Sequence, residues 1–193
     1  MSADAPAPPA LLVIDMINRL DFDGAERMAP GALAAARRIG ALRVRFHERA
    51  WPVIYANDNF AHWRADFREL VAMTARTEGA PAEIVRHLAP DARDYFVLKP
   101  KHSAFLATPL AVLLAKLGVR RLLLTGMALE SCVLATAADA NAREYELAVV
   151  RDAVAGQPAY RQAALRTLAG PGTARVVASR VGASRSGEFL HRR

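Results

Sequence analysis

RRLLLTGMALESCVLATAADA, residues 120–140, joins an apolar run to an alanine-rich run through a turn that carries Cys132, the only cysteine of the chain. A short apolar run ending in glycine reads as a buried strand, and the alanine-rich stretch from Cys132 to Arg143 reads as a helix. Strand, turn and helix in that order form the repeating unit of an α/β sheet protein. At a helix N-terminus the dipole and the free backbone N–H groups favour a thiolate. With no second cysteine to pair with, Cys132 is a candidate nucleophile, the alternative being a small packed hydrophobe.

The same alternation extends outward in both directions. LLVID (11–15) is a continuous apolar run suited to a strand buried on both faces. VIYAND (53–58), YFVLK (95–99), RLLLTG (121–126), ELAVV (146–150) and ARVVA (174–178) complete a set of six. Residues 30–50 carry Leu33, Ile39, Leu42 and Phe46 at helical spacing, and Pro52 follows. A second helix is predicted over 66–77, with Phe67, Leu70, Val71 and Thr74 on one side. Thr108-Pro109 starts a third, with Leu110, Leu113, Leu114 and Leu117 buried and Gly118 as its stop. Pro158 to Ala169 is the last, closed by Gly170-Pro171-Gly172. The pattern predicts a three-layer αβα sandwich around a six-stranded, mainly parallel, Rossmann-like sheet. One domain is expected over 1–193, with a flexible lead at 1–9 and a polar tail at 179–193.

A hydrophobic share of 53% in 193 residues suits a globular core. No apolar run approaches the ~20 residues that span a bilayer, so no membrane partner is expected. The N-terminal segment lacks the basic residues of a secretory signal, and one cysteine asks for no oxidising compartment. A cytoplasmic protein is expected. The net charge of +7 comes from 23 arginines and three lysines scattered through the chain. They form no basic stripe interleaved with aromatics, which argues against nucleic-acid binding.

In parallel sheets ligands bind beyond the carboxyl ends of the strands, near a switch in strand order. Asp15, Asn57 and Asp58, Lys99, and Cys132 close or follow the first four strands. A carboxylate, an ammonium and a thiol on one rim form a nucleophilic set. Asp15 can take the thiol proton, and Lys99 can stabilise both anionic partners. The structural alternatives are a capping aspartate, a snorkelling lysine and a packed thiol.

LLVIDMINRLDF, VLKPKHSAFLATPL and TGMALESCVLATAADA closely resemble the three signature segments of the isochorismatase-like cysteine hydrolases. The resemblance spans about residues 10–178. It implies an Asp–Lys–Cys triad of Asp15, Lys99 and Cys132, with Lys99 rather than Lys101 in the lysine place. It also implies a non-proline cis peptide between Met127 and Ala128, and an oxyanion hole from the N–H groups of Ala128 and Cys132. A homo-oligomer, dimer or tetramer, is the form the family leads one to expect.

Nicotinamidases of that family carry an aspartate and histidines after the second strand, whereas NDNFAHWRADF offers only His62. No metal and no cofactor are therefore expected. In the same segment Asn57 and Asn59 could bond a small-molecule substrate, while Phe60, Trp63 and Phe105 could enclose it. The alternative is aromatic packing at the rim and turn-capping asparagines. Asp58 could meet a cationic group or neutralise Arg64, and His102 is expected at the surface without a role. The favoured reading is hydrolysis of a small amide, carbamoyl group or ureide through a thioester, with Asp15 activating both the thiol and the water. Two other readings fit the same residues: isochorismatase-type cleavage of an enol ether, and a non-catalytic binding or redox-sensing subunit.

Overall fold

The computed structural model describes residues 7–170 and 172–180. Six strands run along the chain: β1 Pro9–Ile14, β2 Val53–Asp58, β3 Tyr95–Lys99, β4 Arg121–Gly126, β5 Glu146–Val154 and β6 Arg175–Val177. They form one sheet in the order β3-β2-β1-β4-β5-β6, and every neighbouring pair is parallel. The switch in strand order falls between β1 and β4, where Ile14 pairs with Gly126. Fold class and sheet are those the alternating pattern predicts.

Alternate side chains of each strand enter opposite cores. Leu11, Val13, Val53, Tyr55, Leu123 and Ala148 face one, with buried residues of α1 Ala25–Glu48, α2 Phe67–Ala75 and α3 Ala80–Leu88. Ala10, Leu12, Ile14, Ile54, Leu122 and Leu124 face the other. There they meet α4 Leu110–Lys116, α5 Leu134–Ala142 and α6 Pro158–Ala169. The first two crossovers thus cover one face and the last three the other, which leaves the crevice at the β1–β4 switch open.

Several boundaries differ from the sequence reading. Helix α1 begins at Ala25, so Pro30 lies inside it. As the sixth residue of the helix it cannot donate the i→i−4 hydrogen bond, and its ring crowds the carbonyl of Glu26. Helix α3 was not expected; its buried Pro81, Ile84, Val85 and Leu88 are a proline and three apolar positions, too short a pattern to stand out. Strand β5 runs on to Val154 through a register shift opposite Leu124 and Gly126, although Arg151 and Asp152 break its apolar pattern. Pro9, placed in the lead, is the first residue of β1. Ser179, placed in the tail, is buried and donates through N and Oγ to Asp152 at 2.7 and 2.6 Å. The rest of the tail from 181, and residues 1–6, lie outside the described residues.

The backbones of β1 and β4 nearly touch at the switch. Gly126 has φ +111°, and a Cβ there would stand 2.1 Å from the Ile14 carbonyl oxygen. Only glycine fits, on grounds of both space and conformation. Gly126→Ala is expected to lower stability by more than about 3 kcal/mol, since backbone strain and overpacking add. A urea unfolding series compared with wild type checks this.

Candidate active site

Asp15 follows β1 with φ 51°, a left-handed conformation that aspartate tolerates. Its N–H donates to Ala56 O at 3.0 Å, and its Oδ1 accepts the Asp58 N–H at 2.8 Å. Asn57 fixes the segment that follows: its Oδ1 accepts from Ile17 N at 3.1 Å and its Nδ2 donates to Ile17 O at 2.9 Å. The buried ends of β1 and β2 are thereby locked together, with the carboxylate aimed along the rim.

Lys99 ends β3, paired with Asp58, and is 2% exposed. Its Nζ lies 2.7 Å from Asp15 Oδ2 and donates to Lys101 O at 3.0 Å and Cys132 Sγ at 3.6 Å. An ammonium has three donors, and here each has a partner.

Cys132 belongs to a π-helical turn, Leu129–Val133, that leads into α5. The Met127–Ala128 peptide is cis, as the resemblance implies. The turn is bound to its surroundings through Leu129 N–H donating to Ala155 O at 2.8 Å. The Glu130 carboxylate accepts the Gln157 N–H at 2.9 Å, and the Gln157 side chain donates to Gly24 O at 3.0 Å. π-helical turns recur at functional sites because they re-aim one side chain.

The proton affinities of the three groups are coupled. Burial lifts the Asp15 carboxyl above its ordinary value, against the opposing charge of Lys99. Burial disfavours the Lys99 ammonium, but the charges of Asp15 and of the Cys132 thiolate outweigh it, so its pKa rises. Burial and then the Asp15 charge push the Cys132 thiol up to about 11, with Lys99 opposing. The thiol is therefore neutral near pH 7. This reverses the expectation of a dipole-favoured thiolate: a buried anion beside a carboxylate outweighs one turn of helix.

The three groups open into a cavity of about 430 Å³, within the usual range for small-molecule sites. Ala128 and Met127 line it, as do Asn18, Phe22 and Met28 from the segment after β1, and Asp58, Pro100, Lys101, His102 and Ser131. A larger depression of about 980 Å³ lies at the amino-terminal ends of β5 and β6 and contains none of the three reactive groups.

None of the five side chains expected at the substrate lines this cavity. Asn57 is consumed by Ile17. Asn59 caps a turn, donating to Ala65 O and accepting from Ala61 N. Phe60 packs, partly buried, against the core that α1, α2 and α3 share, and Trp63 is 59% exposed. Phe105 is buried in the opposite core against Tyr145, with the Arg143 guanidinium over its ring. His102, by contrast, belongs to the site. Its Nδ1 is 3.0 Å from Ser131 Oγ and 3.8 Å from Cys132 Sγ. Its place three residues after Lys99 was the signal available for it. Asn18 and Phe22 sit in an irregular segment whose facing no periodicity reveals, and Met28 lies in the first turn of α1, before residue 30 where the sequence reading started that helix. Among the described residues no group of three His, Cys, Asp or Glu side chains could hold a metal ion.

The model of the isochorismatase domain matches residues 9–180. An uncharacterised isochorismatase family protein of Bacillus subtilis, YaaI, is 40% identical over 149 residues, covering 77% of this chain and 81% of its own. The maleamate amidohydrolase of Pseudomonas putida is 33% identical over 152 residues, covering 76% and 71% respectively. The crystal structure of an N-carbamoylsarcosine amidase from Thermoplasma acidophilum superposes with a TM-score of 0.68 at 29% identity, covering 89% of this chain and 96% of that one. By this match over nearly its whole length, and by the identity to these relatives, the chain belongs to the isochorismatase family.

Proposed function

We propose that this protein is a cysteine hydrolase that cleaves the C–N bond of a small amide, carbamoyl compound or ureide through a thioester on Cys132. The observation that carries the reading is Lys99 Nζ placed 2.7 Å from Asp15 and 3.6 Å from Cys132 Sγ at the floor of a small cavity. As Sγ attacks the acyl carbon, its proton passes to Asp15 and the carbonyl electron pair moves to oxygen. The N–H groups of Ala128 and Cys132 receive that oxyanion. Collapse breaks the C–N bond, Asp15 returns the proton to the leaving nitrogen, and water hydrolyses the thioester. Lys99 holds Asp15 in place and offsets the negative charge throughout.

Attack by sulfur needs an acyl carbon, which an enol ether does not offer. The names of the P. putida and T. acidophilum relatives, an amidohydrolase and an amidase, support the same class. Phe22 and Met28 provide the apolar wall for the substrate, and Asn18, Asp58 and Lys101 the polar one. The side chains supply every group these steps need, so the reading includes no metal or cofactor. A free catalytic thiol fits a reducing, cytoplasmic setting, and no helix among the described residues is long and apolar enough to cross a membrane. The reading also includes assembly as a homo-oligomer, which size-exclusion chromatography with light scattering would test.

Purified protein offered a panel of small amides, carbamoyl compounds and ureides is expected to release ammonia or amine. Product formation from isochorismate with none from the amide panel would overturn the reading. Cys132→Ala and Asp15→Asn are each expected to lower kcat/KM by at least about 10⁴-fold, with circular dichroism unchanged. Asp15→Asn removes an anion that raises the thiol pKa while Lys99, which lowers it, remains. The thiolate absorbance of this single-cysteine protein should then titrate below the wild-type value of about 11, even as turnover is lost. An unchanged or higher midpoint would mean that Asp15 is not ionised beside the sulfur.

A further inference from the structure

Resting on the thioester reading above, we propose that Asp58 selects substrates that carry a positive charge, an ammonium or another alkyl cation, beyond the scissile amide or ureide. Asp58 ends β2 with its backbone held on both sides. Its N–H donates to Asp15 Oδ1 at 2.8 Å, and its carbonyl accepts from Asn57 Nδ2 at 2.9 Å. The residue is exposed at the rim and lines the cavity that holds Asp15, Lys99 and Cys132. Among the described residues no hydrogen bond or ion pair engages its carboxylate. Arg64, the partner considered from the sequence, lines a separate depression with Glu69 and Met73 and forms no ion pair with it.

The other charges at the cavity leave this carboxylate unanswered. Asp15 and Lys99 neutralise each other at 2.7 Å, and the Cys132 thiol adds no charge near pH 7. Lys101 carries the second free charge, but it is exposed, and only its carbonyl is tied to the site, accepting from Lys99 Nζ at 3.0 Å. An ammonium on a long flexible stem can turn to solvent. A carboxylate on a short stem, set on a clamped strand end, stays at the rim. The preorganised charge is the one that discriminates, because a substrate meets it without an ordering cost. Phe22 points the same way independently. It lines the same cavity, is 42% exposed, and has no ring or cation packed on it among the described residues. The face of an aromatic ring attracts cations, as a carboxylate does more strongly. An anionic group would meet Asp58 as a like charge, and a neutral one would leave it without a partner as the cavity fills.

The test compares primary amides of matched length: ω-aminoalkanamides from β-alaninamide to δ-aminovaleramide, n-alkanamides, and ω-carboxyalkanamides. Wild-type kcat/KM should be highest for one of the aminoalkanamides. Its advantage over the n-alkanamide of the same length should shrink as ionic strength rises. In Asp58→Asn, which keeps the shape and the backbone contacts, that advantage should fall about tenfold, mostly through KM. Asp58→Lys should reverse the order in favour of the carboxyalkanamides, and Phe22→Leu should reduce the advantage by about threefold. Calorimetry on Cys132→Ala, which binds without turnover, should give the same order of affinities and the same loss when Asp58→Asn is added. A carboxyalkanamide preferred by wild type, or an Asp58→Asn enzyme that loses activity equally on charged and neutral amides, would overturn the assignment while leaving the thioester reading intact. Were no amide of the three series cleaved, the thioester reading would fall. The calorimetric order would then decide for Asp58 by itself, and equal affinity for charged and neutral amides would overturn its role as well.

Discussion

The ion pair between Lys99 and Asp15 is the interaction on which the site depends. Two opposite charges 2.7 Å apart, 2% and 8% exposed at their side chains, hold each other where neither could remain alone. Removing one partner of such a pair strands the other as a buried charge, at a cost of about 3–5 kcal/mol. The pair joins the ends of β1 and β3, which are separated in the sheet by β2. Strand β2 completes the connection through its last two residues: Asn57 clasps Ile17, and the Asp58 N–H meets Asp15. The lysine therefore acts through geometry as well as charge. It sets where the carboxylate lies, and its remaining donors reach the Lys101 carbonyl and the sulfur.

That arrangement needs β1 and β4 to approach more closely than ordinary side chains allow. Gly126 lets the Ile14 carbonyl come up against its Cα, and the Met127 N–H then bonds to that carbonyl at 2.9 Å. The cysteine turn starts from this contact. On its far side it is anchored through Glu130 and Gln157, and Gln157 reaches Gly24 at the start of α1. Met28 on α1 and Phe22 just before it line the cavity. The anchors of the sulfur and the apolar wall of the pocket therefore share one hydrogen-bonded path. Both crossover layers meet there, which gives physical content to the preference for ligands at a switch in strand order.

What the sequence revealed of this follows from how each feature is encoded. The five-residue apolar runs and the helical spacing around Leu114 or Ile39 repeat with a period, so the sheet and most helices were legible. Asp15, Lys99 and Cys132 were legible as candidates because strand ends in a parallel sheet share one rim. The pocket wall was not. Asn57 and Asn59 have side chains as suited to holding backbone as to holding substrate, and both are used for backbone. Phe105 follows a buried Ser103-Ala104 pair into the core rather than the cavity, a choice set by a loop with no period. His102 was missed for the complementary reason: in a polar run, PKHS, nothing distinguishes a surface histidine from one folded back over the sulfur.

The state of the thiol carries the remaining argument. A thiolate would be the better nucleophile, yet burial and Asp15 hold Cys132 neutral at rest. In the proposed reaction this is an advantage, because the proton leaves sulfur for Asp15 only as charge develops on the carbonyl oxygen. Negative charge is transferred from the carboxylate to the oxyanion rather than accumulated, and Lys99 sees one anion beside it at every stage. The resting sulfur is also less open to oxidation and alkylation, which follow thiolate character.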